Sequence, residues 1–422
     1  MKEDFLHYVW KFQKFSAKQL KTTTGDTVII SKPGSHNFNA GPDFFNASIQ
    51  INEQLWAGNV EIHVKSSDWY AHGHESDSAY DSIILHVVWE HDTEVYRKDN
   101  TPIATLMLKE IVSNETLLQY KKLFSKEKRW IACENNFPEV DDFIIQNWLE
   151  RLYIERLEEK SIFILNELER NNNHWEAVLY KILFKNFGLK VNGESFLSIS
   201  NSIDFSVVQK VRHSMQSLEA LFFGQAGLLS ENYSDAYFES LKLEYAFLKQ
   251  KFQLSQNTVI NPKFFRLRPP NFPTLRLAQL ASLFFNRPSL FSEIILAKHK
   301  EDYYDIFKVA ASEYWDVHYN FEVLSATRKK KLTRGFIDLL IINTLIPIKF
   351  TYAKHTGEDN VKELFTLIEQ IPKENNTVIS RYNKLKKVAN NALESQALLQ
   401  LNSKYCQKLK CLNCAVGISI IG

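Results

Sequence analysis

AGPDFFNASIQINEQLWAGNVEIHVK, residues 40–65, is the stretch from which the first part of the fold can be read. A Gly-Pro turn opens it. Residues 45–51 then alternate between apolar and polar, Asn52 and Glu53 turn the chain, and 54–56 with 59–65 continue as strand past Gly58. Alternate side chains of a strand share a face, so Glu61, His63 and Lys65 project together while Val60, Ile62 and Val64 face a core. Asp43 begins the preceding strand. Pairing the two strands would bring Asp43 beside Glu61, giving two carboxylates for Mg²⁺ or Mn²⁺, with Lys65 or His63 placed to orient a water or stabilise developing negative charge.

Outward from this hairpin, 26–31 reads as a strand, 82–89 as a nearly continuous apolar run of the kind found in central strands, and 101–109 as a further strand. Helical patterns bracket them at 3–15 and 113–124, the second capped by Ser113 or Asn114. We therefore expect an α/β domain over 1–125, a mixed sheet flanked by helices. From about 141 the pattern becomes helical, with Phe143, Ile144, Trp148, Leu149, Leu152, Leu157, Ile164 and Leu168 in register, then further helices at 176–187, 205–223, 234–251, 275–285, 290–299 and 333–344. A mainly α-helical domain over 126–422 follows, and it carries a cysteine cluster near its end.

Composition bounds the function. Among 422 residues, 45% are hydrophobic and 24% charged, as in an ordinary globular protein, and a net charge of +2 argues for neither nucleic acid nor membrane unless concentrated locally. The opening MKEDFLHYVWKF has acids where a signal peptide needs bases. The longest apolar runs, 337–347 and 415–421, fall short of the roughly 18 residues of a membrane span. The expectation is a cytoplasmic protein with no membrane partner, and the oligomeric state is left open. Ser66 and Ser67 do not sit in a nucleophile elbow, and FGQAG at 223–227 reads as a glycine-capped helix end, not a phosphate loop.

Six of the twelve histidines fall between His36 and His91. A zinc site through His63, His72, His74 or His86 is one reading, although a loop around Gly73 gives no guarantee of fixed geometry. Against it, His86 in mid-strand suits a core histidine, and Glu61 with Lys65 suits a surface ion pair. Cys133 and the CxxxxCxxC of Cys406, Cys411 and Cys414 supply four thiolates, enough for Zn²⁺ or an iron–sulfur cluster. Lys404, Lys408 and Lys410 would lower the thiol pKa values. The alternative is four unconnected thiols. In KFFRLRPPNFPTLRLAQ, residues 263–279, Arg266, Arg268 and Arg276 interleave with phenylalanines; this suits either phosphate and base contacts or a structural loop.

The Pro42-Asp43 and Glu61-Ile62-His63 pair resembles the PD-(D/E)XK nuclease superfamily, whose core runs helix, hairpin strands, helix, strand. The resemblance implies a restriction-endonuclease-like sheet and a catalytic set of Asp43, Glu61, His63 and Lys65, with His63 where lysine is usual and Lys65 one pleat later. Glu3 stands where such enzymes often carry a further acid. The one-plus-three cysteines are similar to the iron–sulfur layout of RecB-like and CRISPR-adaptation nucleases, except that Cys133 follows the nuclease motifs. Over nearly its full length, through AGPDF, GNVEIHVKSSDW, AYDSIILHVVW and RPPNFPTLRLAQLA, the chain looks like a bacterial family of unknown function, number 2851. The function these features lead us to expect is a metal-dependent phosphodiesterase acting on DNA or RNA. Asp43 and Glu61 would hold Mg or Mn, and Arg266, Arg268 and Arg276 would guide the strand. The alternatives are a non-catalytic nucleic-acid or protein-binding module stapled by its four cysteines, and a zinc hydrolase of a small substrate.

Overall fold

The computed structural model describes residues 1–125 and 127–422; position 126, where the expected boundary falls, lies outside the described residues. The chain divides into two compact units, one formed by Met1–Trp148 with Leu401–Gly422 and the other by Leu149–Gln400. The first unit thus takes in more than residues 1–125, and the cysteine-bearing tail belongs to it.

The first unit is built on a mixed six-stranded sheet. Its strands are β1 (Val28–Lys32), β2 (Ser35–His36), β3 (Phe44–Ile51), β4 (Gln54–Lys65), β5 (Ile83–Glu90) and β6 (Thr105–Met107), in the order β1-β3-β4-β5-β6 with β2 on β3. The β3–β4 hairpin turns at Asn52 and Glu53, as its alternation predicts; Asn52 takes a left-handed φ of 54° and Ile51 faces Gln54. β4 runs unbroken through Gly58, where the sequence suggested a pause. β5 lies parallel to β4 and β6 parallel to β5. Burial on both faces explains the apolar run from Ile83 to Val88.

Helix α1 (Glu3–Lys11) buries Phe5, Leu6, Val9 and Trp10 and ends sooner than the pattern to 15 suggests, with Gln13 at a positive φ of 49°. Acids in its first turn and Lys11 in its last complement the helix dipole. Between β4 and β5 the chain returns through the short helix α2 (Asp68–Ala71), whose Trp69 packs with Tyr80, Ile83, Val95 and Ile103. α3 (Asn114–Leu123) begins at Ser113, whose hydroxyl accepts from the Thr116 amide. The expected strand over 101–109 is confined to Thr105–Met107.

The second unit is mainly helical. α4 (Asp142–Arg170) enters it at Leu149, and α5 (Trp175–Phe187) buries Val178, Tyr180, Leu183, Phe184 and Phe187. The expected helix over 205–223 breaks into Phe205–Val211 and Met215–Gln225. The helix read at 333–344 extends through a π turn, Ile341–Leu345, into a helical span of Arg334–Thr356. That span is long and apolar enough to cross a membrane by length and composition, yet 78% of its apolar window is buried inside the protein.

Gly58 is fixed by packing. A Cβ there would meet Ile84 Cγ2 at 2.4 Å and the Ser82 carbonyl at 2.6 Å. Gly58→Ala should therefore cost about 1–3 kcal/mol through overpacking, read as a lowered urea midpoint for the first unit. An unchanged midpoint would mean that the β4–β5 contact yields freely.

Candidate metal centre

Glu61 and His63 sit on the buried stretch of β4, at 5% and 1% exposure. Their neighbours come from the return to β5. Asp92 ties that return down just after β4, accepting from the Ser66 hydroxyl at 3.0 Å, the Ser67 amide at 2.9 Å and the Ser67 hydroxyl at 2.8 Å. Ser66 in turn accepts from the Asp92 and Thr93 amides. Trp69, 1% exposed, donates its indole N–H to the Tyr96 carbonyl. The His72 and His74 amides donate back to Asp68 and Trp69, and Gly73 between them takes a φ of +73°. The loop thereby presents both imidazoles to His63.

The resulting distances are short. His63 Nε2 lies 3.0 Å from His72 Nδ1, and the ligand atoms of His63, His72 and His74 all fall within 4.8 Å of one another. Glu61 Oε1 faces two of the three, 3.3 Å from His74 Nε2 and 3.7 Å from His63 Nε2. The other nitrogen of His63, Nδ1, is 2.8 Å from Nε2 of His86, which is fully buried. Tyr80 stacks on His74 at 3.8 Å and Trp69 meets it edge-on at 5.4 Å, walling off one side.

Asp43 does come beside Glu61, but through the backbone. Glu61 Oε2 accepts from the Asp43 amide at 3.1 Å, and Asp43 Oδ2 accepts from the Ile62 amide at 3.0 Å. Asp43 Oδ2 also lies 3.2 Å from His7 Nε2 on α1. Burial disfavours a charge on His7, yet Asp43, with Glu3 and Asp4, holds its pKa above the ordinary value. Burial and the charge of Asp43 raise the Glu61 carboxyl, against the hydrogen bond from His74. Burial, then the neighbouring His74 and His72, push His63 down to about 3, so it is a neutral imidazole at physiological pH, the form that binds a metal. Burial raises Glu3, which feels His72, Asp43 and His7.

Other expected residues lie elsewhere. Lys65 is exposed at the end of β4, opposite Glu90, with its amide donating to Asp68. Arg266, Arg268 and Arg276 belong to the second unit. Arg266 and Arg268 are exposed, but Arg276 is a core group: 6% exposed, stacked 3.6 Å over Phe336 and donating to Gln279 and Asn271. Burial lowers its pKa to about 9, and it has no free face to offer a phosphate.

A cleft of about 550 Å³ opens beside His7 and His36, lined by Lys2, Lys11, Lys408 and Lys410 with Phe12, Phe38 and Tyr120 among its aromatic residues. Sequence reasoning missed His7, although the signal was present. Glu3, His7 and Lys11 recur every four residues and share one face of α1, beside the buried face of Phe5, Leu6, Val9 and Trp10.

The four cysteines converge. Cys133, Cys406, Cys411 and Cys414 line one small cavity with Tyr405, and all but Cys406 are buried. Burial, then the other three thiols, raises Cys133; burial, then Cys414, raises Cys411 to about 12. The expected lysine effect is not what governs these thiols, and Lys408 and Lys410 line the cleft instead. Gly417 lets the tail helix Ala415–Ile421 approach, since a Cβ there would meet the Cys411 carbonyl at 2.1 Å.

A family model described as "Protein of unknown function (DUF2851)" matches residues 3–377, so the chain belongs to that family. No curated protein and no solved structure matches it.

The histidine geometry depends on a loop whose entry is tied by the Asp92 carboxylate. Asp92→Ala should lower hydrogen-exchange protection at Ser67 and across 68–74 while leaving β5 protected. Equal protection in both proteins would show that the packing of Trp69 alone fixes the loop.

Proposed function

We propose, for a member of the DUF2851 family, a metal-dependent phosphodiesterase acting on a nucleic-acid strand, with its ion held by His63, His72 and His74 and faced by Glu61. The observation that carries this reading is the grouping of three imidazole nitrogens within 4.8 Å of one another, two of them facing the buried Glu61 carboxylate, which Asp43 connects to His7 on the wall of a cleft of lysines and aromatic rings. Three imidazoles and a carboxylate suit zinc better than magnesium. Asp43 and Glu61 have committed oxygens to each other's strand amides, which weighs against a site made of those two alone. A bound ion would polarise a phosphoryl oxygen and activate water at neutral pH.

The chain's own residues take the remaining roles. His86 orients His63 from behind, as the outer partners of ligating histidines do. His7, whose pKa Asp43 raises against burial, puts an imidazole able to exchange a proton at the cleft wall. The cleft lysines meet the phosphate backbone, and Phe12 and Phe38, both exposed, offer stacking faces to bases. The restriction-endonuclease-like reading draws support from the element order, α1, β1, β3, β4, α2, β5, with β4 and β5 parallel. His63 then stands at the usual lysine position as a ligand.

Cleavage of a 5′-labelled single-stranded oligonucleotide should require added Zn²⁺ or Mn²⁺ and stop with chelator. His74→Ala should lose bound metal and about 10²-fold or more in rate, whereas His7→Gln should lose about 10²-fold with metal content kept. Oligonucleotide binding without metal-stimulated turnover would favour the binding-module reading. Hydrolysis of a small phosphodiester alone would favour the small-substrate zinc hydrolase. A His74→Ala protein with parental metal content and rate would sink the site.

The cysteines we read as a structural site for zinc or an iron–sulfur cluster, since all four line one small cavity and a cation there would favour their deprotonation. Protein purified without oxygen should carry either bound zinc or an absorption band near roughly 400 nm. Cys411→Ser should remove it and lower the thermal midpoint by about 5 °C or more. A metal-free parent with the same midpoint as the variant would overturn this.

A further inference from the structure

The second unit holds a cavity of about 380 Å³, within the size range of small-ligand sites. Three elements of that unit wall it. α4 contributes Arg156, Lys160 and Ile164, which recur every four residues and so share one face. α5 contributes Ile182 and Asn186, and the third wall is Asn343 in the π turn with Pro347 just after it. π turns interrupt the regular helical ladder and are frequent at functional sites.

Two cations on the lining, Lys160 and Arg156, make their hydrogen bonds to neutral groups, while Glu374 acts on both, and Glu159 on Arg156, through space. Lys160 Nζ donates to Asn343 Oδ1 at 3.0 Å and to the Ile342 carbonyl at 3.4 Å, both neutral. Arg156 donates to Gln396 at 2.8 Å and Gln400 at 3.5 Å, again neutral amides. Asn186 braces the same π turn, donating to Thr344 Oγ1 at 2.7 Å. One acid, Glu159, is on the lining, and it is exposed and accepts from Gln400. Lys185 is already engaged by Glu194 at 3.1 Å and by the ring of Phe163 at 4.3 Å. The rest of the lining is apolar, made by Phe163, Ile164, Ile182 and Pro347.

We propose that this cavity binds a small amphipathic anion, a carboxylate with an unbranched apolar tail, its head between Lys160 and Arg156 and its tail along Phe163, Ile182 and Pro347. A buried cation whose hydrogen bonds all go to neutral groups gains from an incoming carboxylate. Burial, with the nearby charge of Arg156, holds Lys160 down to about 7 against the opposing pull of Glu374; an anion arriving beside it would restore its proton. The apolar wall distinguishes such a ligand from a bare inorganic anion.

The test is isothermal titration of the full chain with octanoate, with octanol and inorganic phosphate as comparison probes. Octanoate should bind, and both comparison probes should bind at least 10-fold more weakly. Lys160→Met should weaken octanoate at least 10-fold, and so should Ile182→Trp, which fills the apolar part and leaves the cations in place. Arg156→Gln provides a second charge variant if Lys160→Met does not fold. Octanol binding as well as octanoate would overturn the anion reading. Phosphate binding as well as octanoate would overturn the apolar tail, and no octanoate binding, or parental binding by the charge variants, would overturn the site.

Discussion

Parallel pairing of β4 with β5 obliges the chain, having reached Lys65, to travel back along the sheet before it can enter β5 at Ile83. An antiparallel hairpin would need two residues for that reversal; a parallel crossover needs a dozen or more. The residues spent on the return carry His72 and His74, and Trp69 within it packs against Ile83 of the strand it leads to. The same register sets Glu61 opposite His86, so the strand that supplies the carboxylate meets the strand that orients His63. The site follows from this crossover, and a change in strand direction would dismantle it.

The hairpin was legible because its alternation and its Asn-Glu turn are local. So was the shared face of Glu61 and His63. The histidine trio was harder to read, because the loop is tied by partners distant in sequence, among them Asp92 beyond β5. A Gly between two histidines looks loose in one dimension and is held in three. The four cysteines could be counted, but their meeting depends on the tail returning to the first unit. Arg276 misled because an arginine among prolines and phenylalanines reads as exposed, whereas here its guanidinium is one of the packed aromatic contacts. The π turn has no signature in apolar spacing, and the run at 337–347 gave no warning that the helix continues to Thr356.

Burying Glu61, His63 and His86 together is costly, since each gives up water for partners that are themselves polar and desolvated. His86 Nδ1 finds no partner among the described residues, which makes the cost explicit. The arrangement also limits what substitutions can do. An apolar replacement at His86 would relieve its own burial but leave the buried Nδ1 of His63 without its partner.

The return of Leu401–Gly422 to the first unit has a consequence for how the chain is made. Synthesis proceeds from the amino end, and domains ordinarily fold as they emerge. Here the sheet and Cys133 leave the ribosome early, but their last partners follow only after the entire Leu149–Gln400 segment. The nascent first unit must wait with one thiol of four, and closing so long a loop is slow in any chain dominated by distant contacts. Maturation is therefore timed by translation: the thiol cavity, and whatever fills it, can be assembled only once the second unit has been synthesised.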